Sequence, residues 1–133
     1  MLVDTAVWSL ALRRSTQGAG AIPRELAELI GESRVVMIGA VRQELLSGIR
    51  DPRQFENLRL HLQAFPDLPL ESTDYEQAAD FFNRCRGRGV QGSNTDFLIC
   101  AVAARNDLAV FTTDGDFRQF ARVLPIALHD LRK

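Results

Sequence analysis

The residues of this chain best suited to chemistry are carboxylates, and several stand at the ends of short apolar runs. Asp4 closes "MLVD", and Asp114 and Asp116 lie in "VFTTDGDF". Glu44 sits in "GAVRQELLSGI" and Asp96 in "GSNTDFLICAVAARND". Each has an ordinary explanation alone. Asp4 can simply end a strand. Glu44 lies about 60° round a helix from Val41, at the edge of the apolar stripe, where a solvated glutamate also fits. Asp96 follows Ser93 by three residues, a capping-box spacing, and an acid in a first turn suits the helix dipole. Asp-Gly favours turns, and Asp116 can cap the run that follows it. Together these explanations combine poorly, because converging carboxylates repel and their unpaired burial is costly. A hard divalent cation resolves the conflict, bound by oxygen ligands with water in the remaining positions. Such a centre suits phosphodiester hydrolysis, since the cation acidifies a bound water and neutralises phosphate charge.

Other chemistries are poorly provided for. Lys133, the last residue, is the sole lysine, which excludes a P-loop and a Schiff-base enzyme. Cys85 and Cys100 have no close cysteine or histidine at zinc-ligand spacing. His61 and His129 are isolated and read as surface or packing residues. A net charge of −1 argues against a chain held to nucleic acid by bulk positive charge. With 46% hydrophobic and 25% charged residues, 133 residues suffice for one domain with a core, so 1–133 is expected to be a single domain. No apolar run reaches the roughly 18–20 residues of a membrane span, and "MLVDTAVWSLALRR" reverses the charge order of a signal peptide. A cytoplasmic location is expected.

The carboxylates need elements to position them. Strands are predicted at 1–4, 34–38, 68–70, 108–112 and 125–128. Helices are predicted at 5–14, 22–33, 39–49, 51–65, 72–89, 92–107 and 116–123, with a loop at 15–21. Ile22, Leu26, Leu29 and Ile30 recur at helical spacing, and Pro23 suits a first helical position. Asp-Pro starts the 51–65 helix, with Phe55, Leu58 and Leu62 on one face, and Ser or Thr caps start the next. This alternation predicts an α/β fold with a mainly parallel sheet covered by helices. Ligands in such sheets bind beyond the carboxyl ends of the strands, where Asp4, Asp114 and Asp116 fall.

The ordered pieces "LVDTAVW", "RQELLSG", "NTDFLICAVA" and "VFTTDGDF" span nearly the whole chain. In them the sequence resembles the PIN-domain nucleases, and among these the VapC toxins of toxin–antitoxin pairs. The resemblance implies a three-layer α/β/α sandwich around a parallel sheet. It maps an acidic quartet onto Asp4, Glu44, Asp96 and Asp114, with Asp116 as a further acid and Thr5 and Thr112 as supporting residues. It implies that Asp4, Asp96 and Asp114 hold Mg2+, with Mn2+ as the alternative, and that Glu44 is a ligand or orients the attacking water. The implied reaction is endonucleolytic RNA hydrolysis, with tRNA a common target in the group. The implied partners are RNA, a cognate antitoxin protein and a second copy in a homodimer.

RNA approaching an acidic centre needs cations at its rim. Arg13, Arg14, Arg84, Arg86 and Arg88 are the candidates, and "RCRGRG" equally fits a solvated helix end. Trp8, Phe81 and Phe82 fit core or dimer-interface positions better than base-stacking platforms. One rival reading is a PIN-fold module that binds RNA as a scaffold without cutting. Another is a nuclease of RNA processing unconnected with toxicity. A haloacid-dehalogenase phosphatase would need an acid where Ala6 stands, and a receiver domain would need a lysine that is missing.

Overall fold

Leu2 and Val3, both fully buried, form the central strand β1 (Leu2–Val3). In the computed structural model, which describes residues 1–12 and 20–131, β1 pairs in parallel with β2 (Ala109–Phe111). The register sets Leu2 opposite Val110 and Val3 opposite Phe111. On its other side β2 pairs in parallel with β3 (Ala127–Leu128). Beyond β1, Leu2 bridges Val36 and Met37 bridges Asp67, both again parallel. Every predicted strand segment therefore joins or borders the sheet, although 34–38 is reduced to bridges at Val36 and Met37, and 68–70 only borders it, its bridge falling one residue earlier at Asp67. Pro66 and Pro69 flank the contact at Asp67 and Leu68 and have no N–H to extend a ladder. Gly39 already opens a helix directly after Ile38.

Seven helices fill the connections between these segments. They are α1 (Thr5–Leu12), α2 (Ala21–Gly31), α3 (Gly39–Leu46) and α4 (Pro52–Leu62), then α5 (Ser72–Gly87), α6 (Asn94–Arg105) and α7 (Asp116–Val123). Parallel neighbours are joined by right-handed crossovers, so connections travelling opposite ways across a sheet place their helices on opposite faces. The chain travels one way from β1 through Val36 to Asp67, and back the other way to β2 and β3. Packing follows this division: α1 meets α2 and α3, and α3 meets α4, whereas α5 meets α6 and α7, and α6 meets β2. The result is the α/β/α sandwich expected. The winding direction reverses between β1 and β2, so their carboxyl ends frame the crevice of a doubly wound sheet.

Local chemistry moves several boundaries. Pro23 is the third residue of α2 and not the first, still in the turn whose N–H groups lack helical acceptors. α3 ends three residues short of the expected 49, where Ser47 leaves helical geometry and Gly48 takes φ 87°. Asp51 caps α4 by accepting the Arg53 N–H at 3.1 Å. On that helix only Leu62 is buried, while Phe55 is 37% exposed. α5 is capped by Glu71 and not by Ser72 or Thr73. The buried Asp74 accepts the Glu71 N–H at 2.8 Å and is gripped by Arg105 Nε at 2.5 Å, which sets the register of the turn.

Residues 97–103 of α6 are all buried, and Phe97 packs on Phe120 with ring centroids 4.9 Å apart. Trp8 and Phe81 lie in the core, and Phe82 packs edge-on against Phe97. Cys85 and Cys100 are buried free thiols. Among the described residues no helix is long and apolar enough to cross a membrane.

Candidate active site

Asp4 is the first residue past β1 and is only 5% exposed. Its N–H donates to the Phe111 carbonyl at 2.9 Å, continuing the ladder, so the carboxylate emerges between the ends of β1 and β2. Oδ1 accepts the Thr5 N–H at 2.7 Å, and Oδ2 accepts the Thr112 hydroxyl at 2.8 Å. Burial pushes this carboxyl up to about 6. The hydrogen bonds from Thr112 and Thr5 oppose the rise, and the charges of Asp96 and Asp114 add to it.

Two threonines spread the arrangement outward. Thr5 Oγ1 donates to Glu44 Oε1 at 2.6 Å, linking the start of α1 to α3. Thr112 Oγ1 also accepts the Asp114 N–H at 2.9 Å, tying the loop after β2 back to Asp4. Asp114 Oδ1 accepts the Asp116 N–H at 2.9 Å, an Asx-type turn that starts α7. Asp114 thus performs the capping expected of Asp116, which is itself the first helical residue, after Gly115.

Asp96 takes both of its readings at once. Its Oδ2 accepts the Ser93 N–H at 3.0 Å while its own N–H donates to Ser93 Oγ at 3.1 Å, a complete capping box. Burial still raises its carboxyl above the ordinary range against the Ser93 bonds, and the charges of Asp114 and Glu44 raise it further. The field reaches the core: burial, then the charge of Asp96, pushes the Cys100 thiol up and keeps it neutral. Asp4, Glu44, Asp96 and Asp114 therefore belong to one electrostatic group. Asp116 is exposed and is tied to Asp114 through its backbone N–H.

The donors are hard oxygens only, with raised carboxyls whose repulsion a cation would relieve, which fits Mg2+ and Mn2+ better than soft metals. Among the described residues no three acidic, histidine or cysteine side chains stand close enough to enclose an ion unaided. Water must then supply much of the coordination of any ion held there, as is usual for Mg2+.

The arginines expected at the rim are occupied elsewhere or lie apart. Arg84 pairs with Asp80 at 2.8 Å, and Arg86 lies over the Phe82 ring at 5.6 Å. Arg88 follows the last turn of α5. None lines the cleft of about 550 Å3 that holds Thr5, Glu44 and Thr95, or the cleft beside Asp114. Arg13 and Arg14 lie outside the described residues.

Two features had no local signal in the sequence. His129 is an engaged packing residue: its Nε2 lies 2.6 Å from Oε2 of Glu25, itself 5% exposed, and its ring meets Phe111 edge-on. Arg118 stands beside Asp114 and was not among the candidate arginines.

A family model described as "PIN domain" matches residues 1–123. No curated protein matches the chain. Among solved structures, the chain is similar to FitAcB from Neisseria gonorrhoeae, with a TM-score of 0.76 and 23% identity over 97% of this chain and 96% of that one. It is similar to VapBC2 from Rickettsia felis bound to a DNA fragment from their promoter, with a TM-score of 0.76 and 16% identity over 96% of each chain. FitAB bound to the IR36 DNA fragment gives a TM-score of 0.74 and 23% identity, over 96% of this chain and 92% of that one. At these identities the likeness is one of fold.

Proposed function

The chain belongs to the PIN-domain family, and from that premise we propose that it is a metal-dependent endoribonuclease, the toxin of a VapC-type toxin–antitoxin pair. The observation that carries the reading is Asp4, a nearly buried carboxylate at the reversal point of the sheet, pressed by the charges of Asp96 and Asp114. Asp4, Asp96 and Asp114 would hold Mg2+, with Mn2+ as a substitute. When bound, the ion would acidify water and offset charge on the phosphate.

The chain's own groups do the rest. Thr112 and Thr5 fix both oxygens of Asp4, so its remaining lone pairs face the crevice ready-oriented. Glu44, exposed and steadied by Thr5, takes one proton from the attacking water as its oxygen bonds to phosphorus, the P–O3′ bond breaks, and the departing 3′ oxygen takes a proton from solvent water. Asp116 supports Asp114 through the turn they share and lends charge at the rim. Residues 1–133 act as one PIN domain.

We assign tRNA or other structured RNA as substrate, a cognate antitoxin as partner, a homodimer as the working form and the cytoplasm as the location. Support for the partner comes from the names of similar structures, solved as VapBC2 and FitAB. A groove of about 920 Å3 along α1, α3 and α4 has Leu12, Leu45, Ile49 and Leu58 in its walls, an apolar surface of the kind an amphipathic partner helix covers.

The test compares folded wild type with Asp4→Asn on total cellular RNA in Mg2+, Mn2+ or EDTA. Discrete fragments from wild type with metal alone support the reading. Equal cutting by Asp4→Asn refutes the site, and RNA binding without cutting favours the scaffold module.

A further inference from the structure

Arg118 lies one helical turn past Asp114, in α7. It lines an open cleft of about 370 Å3 together with Phe111, Thr112, Thr113, Asp114 and His129. Although Asp114 shares this cleft, Arg118 forms no ion pair among the described residues. Asp114 Oδ1 is committed to the Asp116 N–H, and the Thr112 hydroxyl serves Asp4 and Asp114. Among the described residues the guanidinium and the exposed Thr113 hydroxyl donate to no acceptor. The wall opposite is fixed, because His129 is held by Glu25 and packs on Phe111. Asp130 also lines the cleft, and its charge disfavours a second anion.

The cleft thus adjoins Asp114 of the carboxylate group and offers the Arg118 cation and the Thr113 hydroxyl to an anion. Its volume falls at the small end of the roughly 300–1,000 Å3 typical of ligand clefts, a size for one nucleotide unit. A guanidinium matches a phosphate's oxygens in a planar, two-pronged contact that an ammonium lacks. We propose that this cleft seats the nucleotide next to the cleaved phosphodiester, with Arg118 gripping that nucleotide's phosphate. This assignment rests on the reading of the protein as an RNA-cutting enzyme. A contact of this kind anchors the backbone and leaves the bases unread, so Arg118 contributes affinity without sequence preference.

The experiment measures binding and cleavage separately on folded full-length variants. Fluorescence anisotropy of a short labelled single-stranded RNA, with Ca2+ in place of Mg2+, reports binding in wild type, Arg118→Ala, Arg118→Lys and Arg122→Ala. Arg122 is the charge-matched control, one turn further along α7 and outside the cleft. We expect Arg118→Ala to bind about 10-fold more weakly, with a log–log salt slope shallower by ~0.7, the value for one lost single-strand phosphate contact. Arg118→Lys recovers part of the loss, and Arg122→Ala stays within about twofold of wild type. In Mg2+, Arg118→Ala raises KM and leaves kcat largely unchanged.

Cleavage by wild type with unaltered binding by Arg118→Ala overturns the cleft and leaves the nuclease reading standing. RNA binding lost in Arg118→Ala, with no cutting even by wild type, upholds the cleft and refutes the nuclease. Equal losses in Arg118→Ala and Arg122→Ala overturn the assignment in favour of a general field. Failure of wild type to bind RNA overturns both.

Discussion

Replacing Asp4 with asparagine should stabilise the metal-free protein. The Asp4 carboxyl is raised from 3.8 to about 6, chiefly by burial. Between these values the native state holds a proton that the unfolded chain releases, so stability falls as pH rises through the window. Above it the ionised, buried carboxylate costs about 3 kcal/mol, at 1.36 kcal/mol per unit. Asparagine carries no charge, keeps one oxygen for the Thr5 N–H and can donate to the second lone pair of Thr112 Oγ1. In EDTA at pH 8 we expect Asp4→Asn to be more stable by about 1–3 kcal/mol, which is roughly 4–10 °C in Tm for a chain of this size. Scanning calorimetry from pH 4 to 8 should show the two proteins diverging mainly between pH 4 and 6. Mg2+ should then stabilise wild type alone, by about 2.7 kcal/mol at a hundred times its Kd. An Asp4→Asn protein less stable than wild type in EDTA, or equally stabilised by Mg2+, would refute this account of Asp4.

Thr112→Val removes the hydroxyl shared by Asp4 and Asp114; cleavage of a labelled RNA should fall about 10–100-fold, as for other outer partners of metal ligands, with Thr112→Ser near wild type. Asp74→Ala should lower stability by about 2–4 kcal/mol in urea titrations while cleavage per folded molecule is unchanged, because Asp74 serves Arg105 and the Glu71 N–H. Arg105 holds the Asp74 carboxyl below its ordinary range; its stabilisation is therefore present above the ordinary carboxylate pKa and lost on acidification through the lowered one, a loss that acid titration of Asp74→Ala should lack. Gly92→Ala places a Cβ 2.5 Å from Phe120 Cζ and 3.1 Å from Phe97 Cε2; overpacking these fixed rings should cost about 1–3 kcal/mol, measured as a shift in Tm.

The chemistry of the site was more legible in the sequence than its mechanics. Asp4 and Thr112 could be placed at strand ends because buried strands are short apolar runs and their polar sequels must emerge at an edge. The capping box of Asp96 was visible from its three-residue spacing from Ser93. Glu71 was hidden as a cap because Ser72 and Thr73 are better cap formers. The choice is made by Arg105, whose grip on Asp74 spans 31 residues. Similarly, the Asx turn of Asp114 displaced Asp116 as cap, a competition between two adjacent acids that composition cannot decide. The cleft around Arg118 escaped notice because it depends on β3 lying beside β2 and on the pairing of His129 with Glu25, 104 residues away.

The bond between Thr112 and Asp4 spans 108 residues. β1 finds its β2 partner only when Phe111 has emerged, and the contact between Asp4 and Thr112 cannot form earlier. A ribosome releases a chain from the N-terminus, and contacts between distant segments close last. Until then the chain carries Asp4, Glu44 and Asp96 without the loop after β2 that supplies Thr112 and Asp114. A chain that stops before Thr112 lacks the hydroxyl that holds Asp4 Oδ2. Assembly of the carboxylate group is thus coupled to the appearance of β2 and the loop that follows it.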